Sequence, residues 1–133
     1  MTAPEAARRW AQVWERGWRE HDVDRIVGLY GEDASFRSAP FREAKHGPAG
    51  VREYVEWAFA DEEPGGEIRF GTPFVVGDRA LVEYWAVVAS EGSVQTIAGI
   101  SVIRFASDGL VADQRDYWHA QDGRLEPPPE WGA

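Results

Sequence analysis

The sequence contains no cysteine, which excludes disulfides, thiolate metal sites and cysteine nucleophiles. It is also short of positive charge: 14 Lys and Arg stand against 23 Asp and Glu, a formal net charge of −9 at pH 7. Such a chain lacks the field that holds a phosphate backbone or an anionic lipid surface, so neither nucleic acid nor membrane is an expected partner. No apolar run approaches the roughly 18 residues of a membrane span. The start, MTAPEAARRW, puts two arginines where a secretory leader needs its apolar stretch. A soluble, cytoplasmic protein is the expectation. His21, His46 and His119 are scattered, without the spacing of a metal site, and no P-loop, dinucleotide fingerprint or nucleophile elbow is present. Neither a metal nor an organic cofactor is expected.

What the chain has in quantity is aromatic: 7 Trp, 4 Tyr and 6 Phe among 133 residues, 44% of which are hydrophobic. Thr2-Ala3-Pro4-Glu5 has the spacing of a capping box with proline in the first turn, and predicts a helix ending near Glu20-His21. Trp10, Trp14 and Trp18 recur every four residues along one side of it. Asp22 caps a short second helix carrying Ile26, Val27, Leu29 and Tyr30, stopped by Gly31; a strand follows over 34–39. Gly47-Pro48 opens a third helix with Val51, Tyr54, Val55, Ala58 and Phe59 on its buried side. Beyond Gly66 the texture turns to β-branched and aromatic residues, with turn signals at Gly77-Asp78, Glu91-Gly92 and Asp108-Gly109. Four antiparallel strands are expected near 67–76, 79–90, 94–106 and 110–119. Helices first and strands after make an α+β domain, three N-terminal helices packed on one face of a curved antiparallel sheet. The division reads as one domain over 1–120 and a proline-rich tail over 121–133, in which Trp131 is expected to dock.

Three stretches, WREHDVDRIVGLYGEDASF (18–36), HGPAGVREYV (46–55) and DGLVADQRDYW (108–118), together resemble the nuclear-transport-factor-2-like superfamily, and within it the SnoaL-like branch. The resemblance implies a cone-shaped domain whose concave sheet and helices enclose one apolar pocket, paired as a homodimer through the outer sheet face. Ketosteroid isomerases of this superfamily place a carboxylate base after the first strand and a tyrosine on the first helix; those places hold Ser38-Ala39-Pro40 and Trp14. The R-D-Y of limonene-epoxide hydrolases matches Arg115-Asp116-Tyr117, whereas the strand through Glu83-Tyr84-Trp85-Ala86 offers no Arg-x-Asp pair. In SnoaL-type polyketide cyclases the late acid/base carboxylate is again matched by Asp116.

Strand alternation puts Asp116 on a face with Leu110, Ala112, Gln114 and Trp118, where desolvation would raise its pKa toward neutrality. It is the expected catalytic acid/base; the competing reading is a structural acid bonded to a helix or a buried indole. Glu83, a charge inside an apolar strand, is expected to pair with Arg104 or Arg115, with a second catalytic acid as the other reading. His46, just before a helix start, is a candidate for the pocket mouth. Trp14, Trp18, Phe36, Tyr54, Trp57, Tyr84 and Trp118 are expected to line the pocket, either as core or as walls for a flat, hydrophobic small molecule. Two functions remain open: a cofactor-independent enzyme of isomerase, cyclase or hydrolase type, and a non-catalytic binder of an aromatic or polycyclic metabolite.

Overall fold

The computed structural model describes residues 1–133. Its first helix, α1 (Ala3–Glu20), starts at the expected capping box: the Thr2 hydroxyl accepts the Glu5 N–H at 3.2 Å, and the Glu5 carboxylate accepts the Thr2 N–H at 3.1 Å. It stops at His21, which adopts a left-handed φ of 55°. Asp22 then caps α2 (Val23–Val27) through the Arg25 N–H. The two helices cross closely because residue 17 is glycine; a Cβ there would stand 2.7 Å from Ile26 Cγ1. After β1 (Tyr30–Arg37) and the two-residue β2 (Lys45–His46), α3 (Gly47–Ala60) begins at Gly47-Pro48 as expected. Then come β3 (Glu67–Phe70), β4 (Phe74–Val76), β5 (Arg79–Ser90), β6 (Ser93–Phe105) and β7 (Val111–Asp122).

These strands form one curled, unclosed sheet in the order β2-β1-β7-β6-β5-β3, with β4 also on β5. The β5–β6 hairpin turns at Glu91-Gly92, both at positive φ, the geometry that matches strand twist in a two-residue connection. The core lies between the sheet and the helices, where Trp10, Ile26, Phe36, Val51, Val55 and Val82 are all buried.

The structure corrects the expected architecture in four places. The sheet is not wholly antiparallel, because β1 runs parallel to β7 (Phe36 opposite Gln114). The strand expected over 67–76 is two strands, β3 and β4, each pairing separately with β5 on either side of Gly71-Thr72-Pro73. The first strand begins at Tyr30 rather than 34, and the last runs to Asp122 rather than 119. Finally, a bulge between Arg104 and Phe105 shifts the register of β7, so that Val111, not Ala112, shares the buried side with Gln114. Trp131 does dock. Its ring meets Trp85 edge-on at 6.2 Å and lies under the Arg69 guanidinium at 5.1 Å, and the Trp85 indole N–H donates to the Leu125 carbonyl. The tail thereby straps the outer face of the sheet near β3 and β5.

Candidate active site

Between the helices and the inner face of the sheet lies a cavity of about 340 Å³. The four-residue spacing on α1 makes one wall: Trp10 and Trp14 are tilted at 6.2 Å, and Trp14 meets Trp18 edge-on at 6.5 Å. Phe36 from β1 and Tyr54 from α3 continue it. The sheet contributes Tyr84 and Trp118, which come together because Gly99 lies between them in register; a Cβ at 99 would be 2.6 Å from Trp118 Cβ and 2.7 Å from the Tyr84 ring. Trp57 lines the cavity while remaining 62% exposed, so it stands at the mouth. All seven aromatic residues expected to line the pocket do so, and Asp116 does as well.

Two expected residues do not. Glu83 lies on the outer face of β5, because Val82 and Tyr84 on either side of it are the buried ones. It forms no ion pair: Arg115 sits 3.4 Å from Asp113 instead, and Arg104 is exposed. His46 pairs with Ser35 at the sheet edge, is exposed, and takes no part in the cavity.

Around Asp116 the hydrogen bonds form a directed chain. Ser101, opposite in register on β6, donates to Oδ1 at 2.6 Å, and Gln114, two residues back on the same face, donates its Nε2–H to Oδ1 at 3.1 Å. The orientation of the Gln114 amide is dictated, because its Oε1 accepts from the indole N–H of Trp10, a group that can only donate, and from the Tyr30 hydroxyl. Tyr30 in turn accepts the Trp14 N–H at 3.0 Å. With two donors on Oδ1, a proton on Asp116 belongs on Oδ2, which has no partner in the protein. Burial among indoles pushes the carboxyl up from 3.8 to about 7, against the pull of the Ser101 and Gln114 hydrogen bonds. Burial, with Asp116 nearby, also raises Tyr84 far above its ordinary value, so its hydroxyl stays protonated. That hydroxyl has no protein acceptor, leaving a free donor in the wall that also holds Asp116.

Three features of the wall were not read from the sequence. Glu62, just past α3, accepts the Trp18 indole N–H at 3.0 Å and lies 2.8 Å from His21 Nε2. Burial raises its pKa and the His21 contact opposes this; His21 itself stacks flat on Phe59 at 4.1 Å. Arg42, in the loop after β1, has its guanidinium 5.1 Å from the Trp57 ring and 6.0 Å from that of Trp118. Gln114 lies on the expected strand, but Tyr30, expected on the second helix, opens β1 instead, and the hydrogen bond between them joins residues 84 apart in the chain. No three His, Cys, Asp or Glu side chains gather as a metal-holding group.

The layout of helices, curled sheet and enclosed cavity is that of the nuclear-transport-factor-2-like cone. The SnoaL-like domain family matches residues 7–114, and the chain belongs to that family. Similar solved structures include SalBIII, an epoxide hydrolase/cyclase-like enzyme with a role in pyran ring formation in the polyether salinomycin. It has a TM-score of 0.72 at 20% identity, covering 88% of this chain and 90% of that one. A protein of ketosteroid isomerase-like fold from Catenulispora acidiphila, in complex with trimethylamine, has a TM-score of 0.70 at 13% identity over 80% and 82% of the two chains. An epoxide hydrolase of M. tuberculosis, similar to limonene-epoxide hydrolase, has a TM-score of 0.68 at 16% identity over 88% and 82%. No curated protein matches the sequence significantly. No helix is long and apolar enough to cross a membrane.

Proposed function

We propose that this is a cytoplasmic, homodimeric enzyme that moves protons on a hydrophobic small molecule by means of Asp116, in an isomerisation, a cyclisation or an addition of water. One observation carries the reading: a carboxyl group with a pKa near 7 whose proton-bearing oxygen, Oδ2, is left unpartnered in an aromatic cavity. Near neutral pH both its forms are populated, so it can give a proton to a reacting oxygen or take one from carbon, hydroxyl or water. Ser101 and Gln114 hold Oδ1 and thereby aim Oδ2. The Tyr84 hydroxyl supplies a neutral donor for an oxygen on which negative charge develops.

The test is turnover of apolar epoxides, with and without an internal hydroxyl, and of a β,γ-unsaturated steroid ketone. The expected result is activity on at least one class, with a pH–rate inflection near 7. If a neutral polycyclic compound binds and none of these is transformed, the protein is a binding module for such compounds.

The dimer is expected to form through the outer sheet face. Leu81 and Tyr117, 42% and 43% exposed, lie there in register with the half-buried Val102 and Ile100, a face with four apolar residues beside Glu83 and Arg115 that the three helices do not cover. Sedimentation at micromolar concentration should give a species of twice the 14.9 kDa chain mass. A monomer there would refute the assignment.

A further inference from the structure

Among the residues lining the cavity, Arg42 is the one permanent cation. It forms no salt bridge and none of its guanidinium N–H groups meets an acceptor in the protein, so all five donors of the group are unused. Its loop is held by the backbone, and its exposed side chain lies against two rings. Its backbone N–H donates to the Ala39 carbonyl, its own carbonyl accepts the Arg37 guanidinium, and its guanidinium lies within 5.1 and 6.0 Å of the Trp57 and Trp118 rings. Trp57 stands at the mouth and Trp118 beside Asp116, so the guanidinium marks the boundary between aromatic interior and solvent. The acidic groups of the wall do not compete for it. Asp116 is largely neutral below pH 7, Glu62 is engaged by Trp18 and His21, and Asp61 makes no ion pair.

We infer that Arg42 reads an anionic group, a carboxylate or sulfonate, on a ligand whose apolar body fills the cavity and whose reacting end meets Asp116. This rests on the cavity being the ligand site, and it narrows the substrate class to amphipathic anions. A planar guanidinium lying against two indoles, with its N–H donors unpaired, is suited to grip such a group at the rim. It also counters the field of a −9 protein, which would otherwise repel such ligands.

Two dyes that differ only by a sulfonate test this: 1-anilinonaphthalene-8-sulfonate and its neutral parent, N-phenyl-1-naphthylamine, both of which brighten in apolar sites. For Arg42→Met, the Kd of the sulfonate dye is expected to rise about tenfold while that of the neutral dye changes less than twofold. Arg42→Lys, which keeps the charge but not the planar fork, should restore only part of the loss. Lys45→Met, which removes a charge outside the cavity, should change neither. An equal loss for both dyes would make Arg42 a packing element, and no change would make it an ordinary surface charge; either overturns the inference. Wild-type binding of the neutral dye alone would overturn it while leaving the cavity reading standing. Binding of neither dye would refute both.

Discussion

Asp116→Asn should melt roughly 5–10 °C above the wild type at pH 8 while losing proton-transfer turnover by about 10²–10⁴-fold. The substitution is nearly isosteric. The Asn carbonyl can accept the same bonds from Ser101 and Gln114, leaving its NH2 where Oδ2 faced the cavity. What disappears is a carboxyl that the fold prefers to keep protonated. In the unfolded chain it ionises near 3.8, in the folded protein at about 7. Between these values the folded state binds more proton than the unfolded one, so wild-type stability falls as pH rises from about 4 to about 7 and levels off above. At about 1.36 kcal/mol per unit of displacement, the upper bound on this cost is about 4 kcal/mol. Urea unfolding of both proteins at pH 4, 6 and 8 measures it: the curves should coincide at pH 4 and separate with rising pH. Parallel pH dependence in the two proteins would mean that Asp116 is not held in its acid form.

Gln114→Met should be the most damaging single change among the polar groups of the cavity. It strips the acceptor from the Trp10 N–H and the Tyr30 O–H, both buried, and removes one of two donors from Asp116. An unsatisfied buried donor costs about 1–3 kcal/mol, so a loss of about 3–5 kcal/mol is expected. Tyr30→Phe breaks the same Tyr30–Gln114 bond. The double variant should therefore lose less than the sum of the singles, by about 1–2 kcal/mol, and strict additivity would show that the two side chains do not act together. If Gln114→Met retains activity, its pH–rate inflection should lie above that of the wild type, because the Gln114 hydrogen bond lowers the Asp116 pKa.

Local pattern made much of this legible. The capping box, the α3 start and the hairpins stand where turn chemistry and periodicity put them, and period-two alternation brought Gln114, Asp116 and Trp118 to one face. The failures were of two kinds. Glu83 was misread because the outer side of β5 carries Leu81 and Trp85, which made the strand look buried on both sides and its acid look enclosed. The sequence does not announce that Trp85 is covered by the tail rather than by helices. The parallel pairing of β1 with β7, the Trp10–Gln114–Tyr30 junction and the approach of Glu62 to His21 all unite distant segments, and nothing in the neighbouring residues encodes them. Arg42 has no sequence signal of its own, because the indoles beside it come from α3 and β7, far from it in the chain.

The β1–β7 pairing also bears on how the molecule comes into being. Tyr30, on the first strand, meets its acceptor only when the final strand arrives, and that strand brings Gln114, Asp116 and Trp118 with it. During synthesis the Trp10 indole N–H must wait for its acceptor until nearly the entire chain has left the ribosome. Contacts of such long sequence separation pay their loop-closure entropy before any return, so the β1–β7 pairing is expected after the β5–β6 and β6–β7 hairpins have formed. A chain cut before the last strand therefore lacks Gln114, Asp116 and Trp118 together, and with them both the Trp10 acceptor and the carboxyl of the cavity.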